Sequence, residues 1–242
     1  AGGSKDDVCH VAYGYGLFTG GAGLNGGSHK VGCLTLPMSS GNTERQIQFM
    51  MDLNATILCC TPSYAAYIGE TLAEKGYKTS FFNGSGRGSM GFGAYAAQAG
   101  VQDYYSREDY EKRCGTDDFD GYWGIWDEPF LQYMSRVLSE TPQPFFASAF
   151  TLSSHHPFVV PEKYAAPEGK TKVHKGVAYT DLALRRFMET SSREPWYENT
   201  IFVFVADHVS SETFAPKTLT PTGNTQIICL IYTPDGSLRG VN

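Results

Sequence analysis

Positive charge is scarce in this sequence. The 19 Lys and Arg are outnumbered by 25 Asp and Glu, and a formal net charge of −6 argues against a general nucleic-acid binder. Long apolar runs are missing as well. None approaches the roughly 20 residues needed to span a bilayer. No signal peptide is visible, because the chain opens Ala1-Gly-Gly-Ser-Lys-Asp-Asp7. No phosphate-cradling loop is legible either. Five glycines fall between positions 14 and 23, but not at G-x-G-x-x-G spacing, and no Gly-Lys-Ser/Thr follows. The 6 cysteines form no framework. Cys59 and Cys60 are adjacent in a strand-like run and Cys229 sits in another, so they read as buried small hydrophobes. Cys9, His10, His29 and Cys33 carry zinc-type donors, at a spacing that matches no standard structural site.

What is present is a core and a rhythm. A hydrophobic fraction of 41% over 242 residues supports one large α/β domain or two small ones. Strand-like runs at 55–61, 77–82, 144–152, 201–206 and 226–232 alternate with helical stretches at 63–75, 90–99, 130–140 and 179–190. A shorter strand is expected at Cys33-Leu-Thr-Leu-Pro-Met, and a helix from Asn42 or Thr43. The glycines after Tyr13 are expected to let backbone pack closely beside aromatic walls. The alternation predicts a three-layer αβα fold around a mostly parallel sheet, continuous across Gly76 as a single unit.

The run Ile201-Phe-Val-Phe-Val-Ala206 reads as a strand buried on both faces, and it ends at Asp207-His208. Open α/β sheets bind ligands at the carboxyl ends of their strands. A carboxylate oxygen and an imidazole nitrogen there suit a divalent metal such as zinc or manganese. The strand at 144–152 delivers Ser153-Ser-His155-His-Pro157 in the same way, so His155 is expected at the same sheet edge as Asp207.

Specific stretches carry a family resemblance. They are Gly76-Tyr-Lys-Thr-Ser-Phe-Phe, Gly88-Ser-Met-Gly-Phe, Trp123-Gly-Ile-Trp-Asp-Glu-Pro-Phe, Phe150-Thr-Leu-Ser-Ser-His-His-Pro-Phe, Tyr179-Thr-Asp and Ala206-Asp-His. In this order, residues 77–242 resemble the sulfatase-like domain of the lipoteichoic acid synthase family, within the alkaline phosphatase superfamily. The resemblance implies a divalent metal, manganese or zinc, on Asp207 and His208. It places His155 against the phosphate or sulfate of a small-molecule or lipid-headgroup ester. Asp127, Glu128 and Glu212 are candidates for a third metal ligand by their closeness in sequence to these motifs. The family's loop after Phe82 usually carries a histidine, where this chain has Asn83.

Residues 8–76 are similar to a different family. Tyr13-Gly-Tyr-Gly-Leu-Phe-Thr-Gly-Gly, Ser40-Gly-Asn-Thr-Glu-Arg-Gln and Cys59-Cys-Thr-Pro-Ser-Tyr resemble phenylacetate–coenzyme A ligase, an adenylate-forming enzyme. That resemblance implies ATP, magnesium and coenzyme A as cofactors, with Tyr13 and Phe18 as walls of an aryl-acid pocket. Segments of both families are missing, among them the one that supplies the hydrolase's threonine nucleophile. Thr61, at a strand end, is the one hydroxyl that could stand in for it, although a helix-start role before Pro62 suits it better. The chain therefore reads as a chimera: a ligase-like segment, 1–76, and a sulfatase-like domain, 77–242. The expected activity is weak metal-dependent chemistry on phosphate or sulfate esters. The alternatives are a ligase fragment and an inactive scaffold. The two resemblances point to different compartments, so none is assigned.

Overall fold

The computed structural model describes residues 5–14, 19–39, 41–53, 55, 57–60, 71–165, 171–209, 220 and 229–234. The chain divides into two units. One comprises Ala1–Thr71, Asn199–Val209 and Thr225–Asn242, and the other Leu72–Glu198 and Ser210–Asn224.

The first unit begins β1 (Val8–Ala12), α1 (Thr19–Val31), β2 (Leu34–Leu36), α2 (Thr43–Asp52) and β3 (Ile57–Cys60). The three strands form a parallel sheet in the order β2-β1-β3. One face of central β1 packs Cys9 and Val11 against Cys33, with Tyr13 leaning on the cluster. The other face buries His10 completely. The Gln46 amide nitrogen donates to the Ser39 and Gly41 carbonyls, so its oxygen must accept. His10 Nε2–H therefore donates to Gln46 Oε1 at 2.9 Å and ties α2 to β1. Burial holds the His10 pKa below its ordinary value, against the opposing effect of that hydrogen bond. Cys9, Cys33 and His10 are thus core residues. Among the described residues no three His, Cys, Asp or Glu gather into a metal-binding group.

Helix α1 was not legible in the sequence. Its run Thr-Gly-Gly-Ala-Gly-Leu-Asn-Gly-Gly-Ser-His-Lys-Val carries five glycines, each about 1 kcal/mol worse than alanine in a helix interior. Linking two parallel strands requires a crossover, and that demand overrides propensity. Gly21 meets the expectation of close packing, since a Cβ there would lie 2.7 Å from the Gly14 carbonyl oxygen. Gly26 and Gly27 face open space. Gly26→Ala and Gly27→Ala are each expected to stabilise this unit by about 0.5–1 kcal/mol. Thermal unfolding followed by circular dichroism checks this; a loss of stability would mean that α1 is not a helix in solution.

The same unit contains β7 (Phe202–Val205) and β8 (Cys229–Tyr232). Both strands fall where they were expected, but they pair antiparallel, with Phe202 opposite Tyr232 and Val205 opposite Cys229. Nor is β7 buried on both faces. Phe202 is 8% exposed, whereas Val203 is 58% and Val205 61% exposed. An apolar run cannot by itself distinguish a strand covered on two faces from one covered on a single face.

The second unit contains β4 (Lys78–Asn83), α3 (Phe92–Gln98), β5 (Asp103–Tyr105), α4 (Arg107–Cys114), α5 (Asp127–Glu140), β6 (Phe145–Phe150) and α6 (Lys172–Ser191). Its parallel sheet runs β5-β4-β6, with β4 at the centre. The expected class, parallel strands flanked by helices, is what forms. The expected single sheet is not, because β3 pairs with β1 whereas β4 pairs with β5 and β6. Alternation fixes parallel pairing but does not choose each strand's neighbours. Helices α5 and α6 pack along apolar faces that include Phe130, Met134 and Leu138 on one and Tyr179, Ala183 and Phe187 on the other. Helix α4 starts on a capping box in which Ser106 and Asp109 satisfy each other's backbone.

Candidate active site

The carboxyl edge of the β5-β4-β6 sheet gathers the polar groups of the second unit. Strand β4 ends at Asn83, which is fully buried. Its side-chain oxygen accepts the Ser85 backbone N–H at 2.8 Å and the Ser85 hydroxyl at 2.5 Å, which turns the chain out of the sheet. The following loop is held by Arg87. Its backbone N–H donates to Glu108, and its guanidinium donates to the Tyr104 carbonyl and pairs with Asp109. Burial opposes ionisation of Asp109, but hydrogen bonds from Ser106 and the charge of Arg87 hold its carboxyl below the usual range.

The aromatic loop at 117–126 returns across this exit. One Asp120 carboxylate oxygen accepts the N–H groups of Tyr122, Trp123 and Gly124. Ile125 N–H donates to the Gly84 carbonyl at 2.9 Å, fastening the loop to the end of β4. Trp123 is thereby set beside His155, with ring centroids 4.7 Å apart and the planes steeply inclined at 69°.

His155 follows β6 as expected and is exposed. Its Nδ1 lies 2.9 Å from the His156 carbonyl, and a carbonyl only accepts, so Nδ1 carries the proton. Asp127 fixes the approach to this loop. Its Oδ1 accepts the Leu152 N–H at 2.7 Å and the Ser153 N–H at 3.1 Å, and its Oδ2 accepts the Thr180 hydroxyl at 2.7 Å. One buried carboxylate thus joins the start of α5, the exit of β6 and α6. Burial pushes its pKa up, against the hydrogen bonds from Leu152, Thr180 and Ser153. Both Asp127 oxygens are committed and the residue is 3% exposed, so it does not serve as a third metal ligand. Glu128 is likewise engaged, 3.2 Å from Arg186.

Behind this loop lies a cavity of about 390 Å³ lined by Asp117, Asp118, Trp126, Glu128, Glu162, Lys163 and Tyr179, among others. Four of those residues are carboxylates and one is a lysine, so the cavity repels a phosphate or sulfate rather than receiving it.

Asp207 and His208 belong to the first unit, just after β7. The expected shared sheet edge with His155 does not form, because β6 pairs with β4 whereas β7 pairs with β8. His208 Nδ1–H donates to the Val209 carbonyl at 2.7 Å, which leaves Nε2 as the free nitrogen. Nε2 lies 3.5 Å from Asp207 Oδ2, and both side chains are well exposed. One cation about 2.1 Å from each atom would span that gap, so the pair fits two ligands of a divalent metal. Tyr13 stands on the β1 cluster, packed against Cys9, Val11 and Cys33. Phe18, Thr61 and Glu212 lie outside the described residues. Trp123, Asp120 and the anchoring role of Asp127 were not read from the sequence as site features. The one available signal was the density of aromatic and acidic residues in 117–129.

Comparison with known proteins separates two likenesses. A phenylacetate–coenzyme A ligase of Pseudomonas putida is 46% identical over 76 residues, which is 31% of this chain and 17% of the ligase. A lipoteichoic acid synthase-like protein of Bacillus subtilis is 28% identical over 144 residues, covering 53% of this chain and 23% of that protein. The chain thus spans about a fifth of the length of these relatives. A crystal structure of an alkaline phosphatase superfamily protein from Vibrio parahaemolyticus superposes with a TM-score of 0.59 and 27% identity, over 69% of this chain and 41% of the other. The profile of the sulfatase family matches residues 42–242, beginning upstream of Gly76 within the stretch that also looks like the ligase. A match over that length decides the matter: the chain belongs to the sulfatase family.

Proposed function

We propose that the chain is an incomplete, metal-dependent sulfatase-like or phosphoglycerol-transferase-like domain. Its substrates would be phosphate or sulfate esters of a small molecule or lipid headgroup, and its turnover low. The observation that carries this reading is the Asp207–His208 pair, with a carboxylate oxygen and a free imidazole nitrogen 3.5 Å apart after a strand. Members of this superfamily typically use a divalent metal. Bound at this pair, manganese or zinc would supply charge neutralisation at the ester's phosphorus or sulfur. Asp207 and His208 would hold the ion. The family likeness gives His155, in the other unit, the role of contacting the phosphate or sulfate, through Nε2. A stable catalytic zinc wants three protein ligands, and no third joins these two among the described residues. With two named ligands, the pair is proposed to bind its metal weakly.

Calorimetric titration with manganese and with zinc, beside hydrolysis of an aryl phosphodiester and an aryl sulfate, tests this. Asp207→Ala is expected to weaken metal binding tenfold or more while leaving an already low rate nearly unchanged. Equal metal affinity in both proteins would remove the metal site. Robust turnover that disappears in Asp207→Ala would show that the chain holds a complete site, nucleophile included. A second reading, a fragment of an acyl-adenylate-forming ligase, is favoured by the likeness of the amino-terminal part. Phenylacetate binding by the isolated chain would support it.

A further inference from the structure

The His156 carbonyl receives two donors. Trp123 Nε1–H reaches it at 2.9 Å from the aromatic loop, and His155 Nδ1–H reaches it at 2.9 Å from its own turn. The edge contact between the two rings, at 4.7 Å, adds a second restraint on the imidazole. We propose that Trp123 is a positioning residue for His155. By holding the His156 carbonyl in place and flanking the imidazole, it confines that ring to the Nδ1–H tautomer and leaves Nε2 as the nitrogen offered outward.

This rests on the reading of His155 as the group that meets the ester, and it adds the device that aims it. A carbonyl oxygen has two lone pairs, so it can serve both N–H groups at once. If the indole N–H is removed, the carbonyl keeps only the imidazole, whose hold is local and one residue long. The peptide then turns more freely, and the ring loses the fixed acceptor that selects its tautomer. The backbone that carries the indole is itself held. The Trp123 backbone N–H is bound by Asp120 at 2.8 Å, and the next peptides are bound to Asp120 and Gly84. No hydrogen bond engages His155 Nε2 among the described residues. The arrangement matches the general rule that an imidazole's working nitrogen is set by what the other nitrogen binds.

The measurement is a long-range ¹H–¹⁵N spectrum of histidine-labelled full chain, at a pH where imidazole is neutral. His155→Gln identifies the His155 signals. The wild type is expected to show His155 mainly as Nδ1–H. Trp123→Phe, which keeps an aromatic ring but has no N–H, is expected to lower the Nδ1–H share at least twofold. Trp123→Ala is expected to lower it further. His174, whose Nδ1 faces the Thr171 N–H at the start of α6, serves as the folding control for this unit and should not move. An Nε2–H ring in the wild type would overturn the proposal, as would an unchanged Nδ1–H share in both variants. Titration of inorganic phosphate and of sulfate into the same samples separates the two levels. If the His155 tautomer depends on Trp123 but the ring ignores both anions, the positioning stands and the role of His155 in ester chemistry falls.

Discussion

Asp127→Ala is expected to destabilise the second unit by about 3 kcal/mol. Three donors lose their acceptor: the Leu152 and Ser153 N–H groups and the Thr180 hydroxyl. Each buried donor left unpaired costs about 1–3 kcal/mol. The loss falls where α5, the exit of β6 and α6 meet, so it should also loosen His155. All three tryptophans, Trp123, Trp126 and Trp196, lie in this unit, so fluorescence-monitored urea unfolding reads it directly. A change below about 0.5 kcal/mol would mean that water replaces the carboxylate without cost.

Asp127→Asn sharpens the test through pH. Burial raises the Asp127 pKa, so the folded chain binds the proton more tightly than the unfolded chain. The stability from that group is complete below the unfolded value of about 3.9 and is lost as pH rises through the folded value. The protonated acid fits its surroundings. Oδ1 keeps both N–H groups, and Oδ2–H can donate to the Thr180 oxygen once that hydroxyl rotates. Asparagine reproduces the same pattern and does not titrate. Its stability relative to wild type should therefore improve as pH rises from about 4 towards neutrality. The opposite trend would show that hydrogen bonding to the carboxylate outweighs its desolvation.

The sequence showed its strands and their exits well, because those depend on local runs. The apolar stretch before Asp207-His208 and the one before Ser153-Ser-His155 were both legible as strands ending in polar groups. Strand β5 and helix α4 were missed, since a three-residue strand and a charged eight-residue helix give little periodicity. The antiparallel pairing of β7 and β8 was not legible, because an apolar run does not show which way its neighbour runs. Asp127 was legible as an acid near a motif, but not as an anchor. Its partners lie 25, 26 and 53 residues away, beyond any local pattern. The link from Trp123 to His156, 33 residues on, escaped for the same reason.

Gly124→Ala is expected to cost about 3 kcal/mol and to disorder the contact between Trp123 and His155. A Cβ at position 124 would lie 2.3 Å from the Gly84 oxygen, 2.6 Å from the Gly84 carbonyl carbon and 2.8 Å from Leu152 Cδ1. Two of these three atoms are backbone and cannot rotate away. The loop must lift from the end of β4, and the 2.9 Å bond from Ile125 N–H to the Gly84 oxygen lifts with it. Overpacking a close contact costs about 1–3 kcal/mol, and losing a buried backbone bond adds about 1 kcal/mol. Trp123 precedes Gly124, so its indole moves first and the shared His156 carbonyl loses a donor. Gly88→Ala is the control in the same region, because a Cβ there meets nothing within 4 Å. Urea unfolding should show the control within about 0.5 kcal/mol of wild type. The two variants should also differ in the His155 tautomer, which Gly88→Ala leaves alone. If Gly124→Ala unfolds like wild type, the loop does not lie on Gly84 in solution, and the placement of Trp123 beside His155 fails with it.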